Sequence, residues 1–186
     1  TTTTIDESLH TAAIRFDGRE LAVSTGCMER RWRWTGRGLE TVRVRRLPHG
    51  VAWAAHTQTD SAGADWLLPV AETENPAAEL VRADGRRSDD QGFTSEHLAF
   101  TAEMAYPSVH LAVRFVVWAY PEAPGVRTQL FVRGLDGFAW ESDLSKTETT
   151  DESLRRARLE RGWRRVDRAP CDLAGTRRRY IRYASD

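Results

Sequence analysis

Residues 109–133 read VHLAVRFVVWAYPEAPGVRTQLFVR. In the first half, Val109, Leu111, Val113, Phe115 and Val117 fall on one side and Ala112, Val116, Trp118 and Tyr120 on the other. This is the two-residue period of an extended strand. Apolar groups on both sides mark a central strand covered on each face. Pro121-Glu122-Ala123-Pro124-Gly125 then reverses the chain, and Val126–Arg133 alternates Val126, Thr128, Leu130 and Val132 with Arg127, Gln129 and Arg133. The stretch predicts a long antiparallel hairpin.

The same period recurs toward the N-terminus. Ala12–Phe16 and Leu21–Ser24 flank Asp17-Gly18, a dipeptide suited to a type I′ turn. Glu29–Trp34 alternates Arg30, Trp32 and Trp34 with Arg31 and Arg33, and Thr35-Gly36-Arg37-Gly38 turns the chain. Leu39–Leu47 places Val42 and Val44 opposite Arg43 and Arg45, a strand wet on one side, and Val51–Thr57 follows Pro48-His49-Gly50. Residues 71–96 are polar and rich in turn dipeptides, including Asn75-Pro76 and Asp84-Gly85, and are expected to form loops around one short strand, Leu80–Ala83. A helix is expected only at Asp151–Arg161, and Arg177–Tyr183 returns to strand character. Strands about every ten residues, without intervening helices, predict an all-β antiparallel sandwich in one domain, 1–186, rather than a βαβ fold.

Composition narrows the functional classes. The 27 basic and 27 acidic side chains cancel, but residues 155–182 hold eleven arginines against Glu160, Asp167 and Asp172. Clustered arginine can neutralise phosphates. This segment has neither zinc spacing nor the aromatic–glycine pattern of an RNA-recognition motif, so no nucleic-acid partner is expected. No apolar run approaches the roughly 18 residues of a membrane span, and no membrane partner is expected. Thr1–Glu7 has neither a basic start nor an apolar core, so no signal peptide is read there, and cytoplasmic and secreted locations both stay open. Cys27 and Cys171 allow one bridge or two thiols.

Catalytic motifs are scarce: no nucleophile elbow, P-loop or dinucleotide fingerprint occurs. His49 and His56 lack converging ligands, so neither metal nor cofactor is expected. Asp89-Asp90 and Asp151-Glu152 are adjacent in sequence, whereas glycosidase carboxyls face each other about 5 Å or more apart across a cleft. The tryptophans say more. Trp53, Trp118 and Trp140 sit in apolar strand contexts and read as core. Trp32 and Trp34, two apart, project from one face, either as inter-sheet core or as a platform for the apolar face of a sugar ring. Asp65-Trp66, entering from a loop, joins a hydrogen-bond acceptor to an aromatic and is a second candidate. Trp32, Trp34, Asp65 and Trp66 are thus the candidate substrate-binding residues.

LAVSTGCMERRWRW (21–34), GLETVRV (38–44) and PHG (48–50), followed by VRFVVWAYPEAPGVRTQL (113–130), resemble two blocks of the N-terminal β-supersandwich of α-galactosidase-like, family-36 type glycoside hydrolases. The likeness covers residues 20–135, and it departs from the pattern at Ser24-Thr25-Gly26, where an asparagine is common. It implies a galactose-mutarotase-like sandwich preceding a (β/α)8 barrel that carries the catalytic carboxylates. No βα repeat is present here, so those catalytic residues map onto nothing in this chain. The expectation is a non-catalytic N-terminal domain, a fragment of a larger carbohydrate-active enzyme. It would pack on that parent's catalytic domain, shape its cleft and contact carbohydrate, with homo-oligomerisation through an open sheet edge a further expectation. A stand-alone carbohydrate-binding module and a mutarotase-like sugar epimerase are the alternatives. The epimerase would need His49, His56 or His110 beside a carboxylate in a cleft.

Overall fold

A computed structural model of the chain describes residues 4–48, 50, 52–54, 63–68, 71, 74–135, 164–168 and 181–183. Twelve strands appear in order: β1 (Ile5–Leu9), β2 (Ala12–Phe16), β3 (Glu20–Ser24), β4 (Met28–Trp34), β5 (Leu39–Arg46), β6 (Ala52–Ala54), β7 (Glu79–Ser88), β8 (His97–Tyr106), β9 (Leu111–Ala119), β10 (Arg127–Gly134), β11 (Arg164–Arg168) and β12 (Ile181–Tyr183). A 3-10 turn at Pro107–Val109 joins β8 to β9. Among the described residues, successive strands pair antiparallel within each of two six-stranded sheets, β1 to β6 and β7 to β12. The fold is an all-β antiparallel sandwich made of two successive meanders.

The inner faces carry the alternating apolar residues. Ile14, Phe16, Leu21, Val23, Trp32 and Leu39 of the first sheet meet Leu98, Phe100, Met104, Val113, Phe115 and Val117 of the second, and all are buried. Removing such side chains from water contributes about 1.5–3 kcal/mol each. Phe16 meets Phe100 edge-on with ring centroids 5.4 Å apart, and Trp32 meets Phe115 likewise at 5.9 Å. These T-shaped contacts set the positive ring edge against the negative face.

The expected hairpins are present, but their turns differ in detail. β2 and β3 pair with Phe16 opposite Leu21. A type I′ turn needs positive φ at both central residues, and here only Gly18 has it (φ 90°). The Asp17 carboxylate instead accepts the N–H groups of Glu20 (2.7 Å) and Arg19 (2.8 Å). Those two bonds hold its carboxyl below the usual carboxylate range. In β4 and β5 the register shifts between Arg31 and Trp32, a bulge that leaves Val42 without an opposite residue.

The region expected to be loops is the largest correction. β7 runs ten residues, straight through Asp84-Gly85, and pairs with β8, an equally long strand the sequence reading did not single out. Gly85 is in the strand for steric reasons. A Cβ there would lie 2.4 Å from Ile5 Cγ2, so its absence lets β1 close against β7. Arg87 Nη2 donates to Ser8 O (2.9 Å) across the same seam.

At another end of the sandwich, two turns lock the sheets together. Thr25, fully buried between β3 and β4, donates its hydroxyl to Ala123 O (2.6 Å), while Thr25 O accepts the N–H of Glu122 (2.7 Å). Residues 21–34 and 113–130 thus touch through the Ser24-Thr25-Gly26 turn. Gly26 (φ 91°) lies over Thr11, where a Cβ would come within 2.5 Å of Thr11 Cβ. Cys27 is exposed, its thiol directed to Glu122 O at 3.3 Å. The expected helix at 151–161, Cys171, Trp140, His49 and His56 lie outside the described residues.

Candidate functional site

The four residues singled out in the sequence are brought together, three of them in direct contact with one another or with a shared partner. Asp65 is 5 % exposed and its carboxylate is saturated. Its Oδ2 accepts from Thr41 Oγ1 (2.6 Å), Arg30 Nη2 (2.7 Å) and Trp32 Nε1 (2.9 Å), and its Oδ1 accepts from Thr41 N (2.8 Å). The Arg30 guanidinium also lies over the Trp32 ring, 4.6 Å from its centroid. Trp66 stacks on Phe115 at 5.5 Å and donates through Nε1 to Tyr106 Oη (3.3 Å), which donates to Arg37 O (2.8 Å). Burial raises the Tyr106 phenol well above its usual range. Asn75 completes the arrangement, accepting from Leu68 N (2.7 Å) and donating to Trp66 O (2.9 Å).

This network fastens residues 63–68 and Asn75 to the sheets. Trp32 is 0 % and Trp66 1 % exposed, so neither ring presents a face to solvent; Trp32 is inter-sheet core. Trp34 is half-buried against the same core. Every polar group near Asp65 finds its partner inside the protein, the condition under which a buried carboxylate is tolerated.

A different surface is open. On the outer face of the second sheet, strand register builds a lattice of side chains. One row runs Arg86, Ala99, Trp118, Arg127 across β7, β8, β9 and β10. The next runs Asp84, Thr101, Val116, Gln129, and the third Arg82, Glu103, Arg114, Phe131. Antiparallel partners share a face, so all twelve project outward together. Small side chains in the middle (Ala99, Thr101, Val116) and long ones around them leave a groove of about 310 Å³, to which Ser88 and Asp90 add one end. Trp118, read from the sequence as core, is half-buried in its wall, with Arg127 over the ring at 4.9 Å.

The groove is polar but not saturated in the manner of Asp65. Arg114 directs Nε (3.0 Å) and Nη2 (2.8 Å) to the same oxygen of Glu103. Beyond Trp118, His97 is fully buried beneath Tyr120, with ring centroids 4.5 Å apart. His97 Nδ1 lies 2.9 Å from Ser95 O, while Nε2 has no hydrogen-bond partner and stands 4.0 Å from Asp90 Oδ1. The outer face of the first sheet is charged as well, but its groups meet each other: Arg31 with Glu20 (2.9 Å) and Glu29 (3.0 Å), Arg33 with Glu40 (3.1 Å).

Among the described residues, no group of three or more His, Cys, Asp or Glu side chains is placed to hold a metal ion, and no helix is long and apolar enough to cross a membrane. His110 is exposed at the end of the 3-10 turn, in the left-handed region. Comparison with protein-family models, with curated proteins and with solved structures finds no match to this chain. The outer-face lattice escaped the sequence reading because β8 was not identified. Its signal was nevertheless there: Ala99, Thr101 and Glu103 alternate with Leu98, Phe100, Ala102 and Met104.

Proposed function

We propose that this chain is a non-catalytic, carbohydrate-binding β-sandwich whose ligand lies along the outer-face groove of the second sheet. In its parent protein it would sit beside the catalytic domain of an α-galactosidase-like glycoside hydrolase, as the sequence resemblance implies. The observation that carries this reading is Trp118, half-buried beside a floor of Ala99, Thr101 and Val116 and ringed by guanidinium and carboxylate groups. The C–H-bearing face of a pyranose suits an indole whose π-face is negative. Its hydroxyls suit polar groups spaced around that ring, the usual composition of a site that combines an apolar contact with a few oriented polar ones.

The non-catalytic part of the reading rests on geometry. Glycosidase carboxyls act from two sides of the scissile bond. Asp84 and Glu103 rise from one sheet face, in adjacent rows, and Glu103 is held by Arg114. A titration of the isolated chain with galacto-oligosaccharides, followed by tryptophan fluorescence, tests the proposal. Saturation in the millimolar range or below is expected, with the response lost in Trp118→Ala while its thermal unfolding stays cooperative. An unchanged spectrum across the titration would leave the domain a scaffold and remove the binding reading.

A further inference from the structure

We infer that His97 and Asp90 form a proton-operated latch that fastens the β7–β8 turn at the end of the outer groove. The two-residue period that builds the groove continues to its end: Ser88 of β7 stands opposite His97 of β8, and Tyr120, two residues beyond Trp118, covers the imidazole. His97 is 0 % exposed. Its Nδ1 lies 2.9 Å from Ser95 O and 3.5 Å from Thr94 Oγ1. A carbonyl oxygen only accepts, so Ser95 O assigns the single proton of the neutral ring to Nδ1 and leaves Nε2 a bare acceptor. Among the described residues no donor reaches Nε2, and the group opposite it is another acceptor, Asp90 Oδ1, at 4.0 Å. Two acceptors facing each other inside a protein are unfavourable, and one added proton turns them into a charge-assisted hydrogen bond.

Asp90 is placed to answer that proton. Its side chain is 47 % exposed, with Oδ1 accepting from Ser88 Oγ (3.3 Å) and Oδ2 from Thr94 Oγ1 (3.1 Å). Closing the gap to the length of a charge-assisted N–H···O bond takes a shift of roughly 1 Å, which a half-exposed side chain on a turn can make. The turn itself is held in a costly shape, because Asp90 (φ 50°) and Gln91 (φ 61°) are left-handed without being glycine. A new bond from Asp90 to β8 secures that shape, and losing the bond lets the turn relax. The imidazole meets Ser88 from β7, Thr94 and Ser95 O from the turn, and the Tyr120 ring from the end of β9, so among the described residues Asp90 is the charged group against it. Asp89 and Glu96 flank the turn and are exposed, as is Arg86 in the adjoining row. Imidazole is the side chain that changes charge between about pH 5 and 8, so the latch engages toward the acid end of that range and releases toward the other. Ser88 and Asp90 also line the groove, and engagement therefore draws a carboxylate away from its end.

Imidazole nitrogen NMR of the whole chain, titrated from about pH 8 to about pH 5, tests the latch. The backbone amides of residues 90–94 are followed in the same samples, with His10, exposed between β1 and β2, as internal reference. At the alkaline end His97 is expected to carry hydrogen on Nδ1 and none on Nε2. Toward the acid end a proton should appear on Nε2, and the amides of Gln91, Gly92 and Thr94 should shift along the same curve. Asp90→Asn keeps the shape of the side chain, and its amide can donate to the bare Nε2. In that variant the His97 midpoint should fall by about one pH unit or more, and the turn amides should cease to follow it. Asp89→Asn removes an exposed neighbouring carboxylate and should leave both readouts unchanged. The inference is overturned by a proton on Nε2 at the alkaline end, by a neutral His97 at the acid end of a chain that is still folded, or by turn amides that ignore the imidazole. Those three outcomes are read on the unaltered chain and depend on no variant. Equal midpoint shifts in Asp89→Asn and Asp90→Asn would overturn it as well, since they would replace a specific pair with a general acidic field.

Discussion

Tryptophan, arginine and carboxylate meet twice in this molecule, with opposite results. Around Asp65, two tryptophans and Arg30 are folded inward, and the carboxylate receives four hydrogen bonds from protein donors. Around Trp118, the same residue types stand on the outer face of the second sheet, over a floor of small side chains, and Arg82 and Arg86 stay directed to solvent. The residue types are shared, so chemistry alone does not separate structure from site. What separates them is how much of the polar capacity is consumed within the fold. A saturated group holds the chain in place, and an unsaturated one at the surface is available to a ligand.

The sharpest way to break this comparison is to remove the inner carboxylate. Asp65→Ala leaves the Trp32 indole N–H and both Thr41 donors without their acceptor and takes from Arg30 its paired carboxylate. A loss of about 3–5 kcal/mol is expected, since stripping one partner from a buried pair leaves the other uncompensated. Urea unfolding measures it, and Trp118→Ala should cost less on the same scale, about 1–2 kcal/mol, being only half-buried. Were the two losses equal, the division into staple and site would fail.

Asn75→Ala probes the same staple at one remove. Leu68 N and Trp66 O would each lose a buried partner, and about 2 kcal/mol is expected from two such groups. Hydrogen exchange adds a spatial readout, because the Leu68 amide should lose protection in this variant before the amides of β8 and β9 do.

Tyr106→Phe is smaller still, about 1.5 kcal/mol at neutral pH, for the hydrogen bond to Arg37 O and the longer one accepted from Trp66 Nε1. Its pH signature is more telling. Burial raises the phenol above its usual value of 10.0. Above that value the unfolded chain releases the proton while the folded chain keeps it, so the folded state binds more protons and stability falls as pH rises. The loss approaches about 1.4 kcal/mol per pH unit for one such group. The Phe variant should therefore show a flatter decline between about pH 10 and 11 in chemical denaturation.

The smallest effect belongs to the surface. Asp6 and Arg15 pair at 3.2 Å with 68 % and 73 % of their side-chain areas exposed. Asp6→Asn should shift the unfolding free energy by no more than about 0.5 kcal/mol, and less in high salt. A shift as large as that of Asn75→Ala would mean that exposure does not rank these interactions.

Much of the fold was legible from local signals. The hairpin of β9 and β10, the pairing of β2 with β3, and the charged face of β5 all follow from two-residue alternation and turn residues. The type of the Asp17-Gly18 turn did not, because an aspartate can settle a turn through its carboxylate as well as through its backbone. Nor did β7, since Asp84-Gly85 carries a turn signal that a tertiary contact overrides: Ile5 occupies the place a Cβ would take. Trp32 with Trp34 and Asp65 with Trp66 were read as two separate candidates, and the contact between Trp32 and Asp65 in the interior came only with the fold.

Sequence by itself determined that this chain forms β-strands with an apolar side and a polar side, and that no helix-based fold competes among residues 4–135. It determined as well which residues travel together on one face, because a period of two leaves no freedom in that matter. Only the tertiary structure decided which face is covered. Val116 and Val117 are equally apolar neighbours, but the first sheet packs against one and the groove opens over the other. Cross-strand register, fixed by packing against that first sheet, brought Arg86, Ala99 and Trp118 into one row. A row assembled from three strands has no counterpart in any single stretch of sequence, and that is why the groove had to be found in three dimensions.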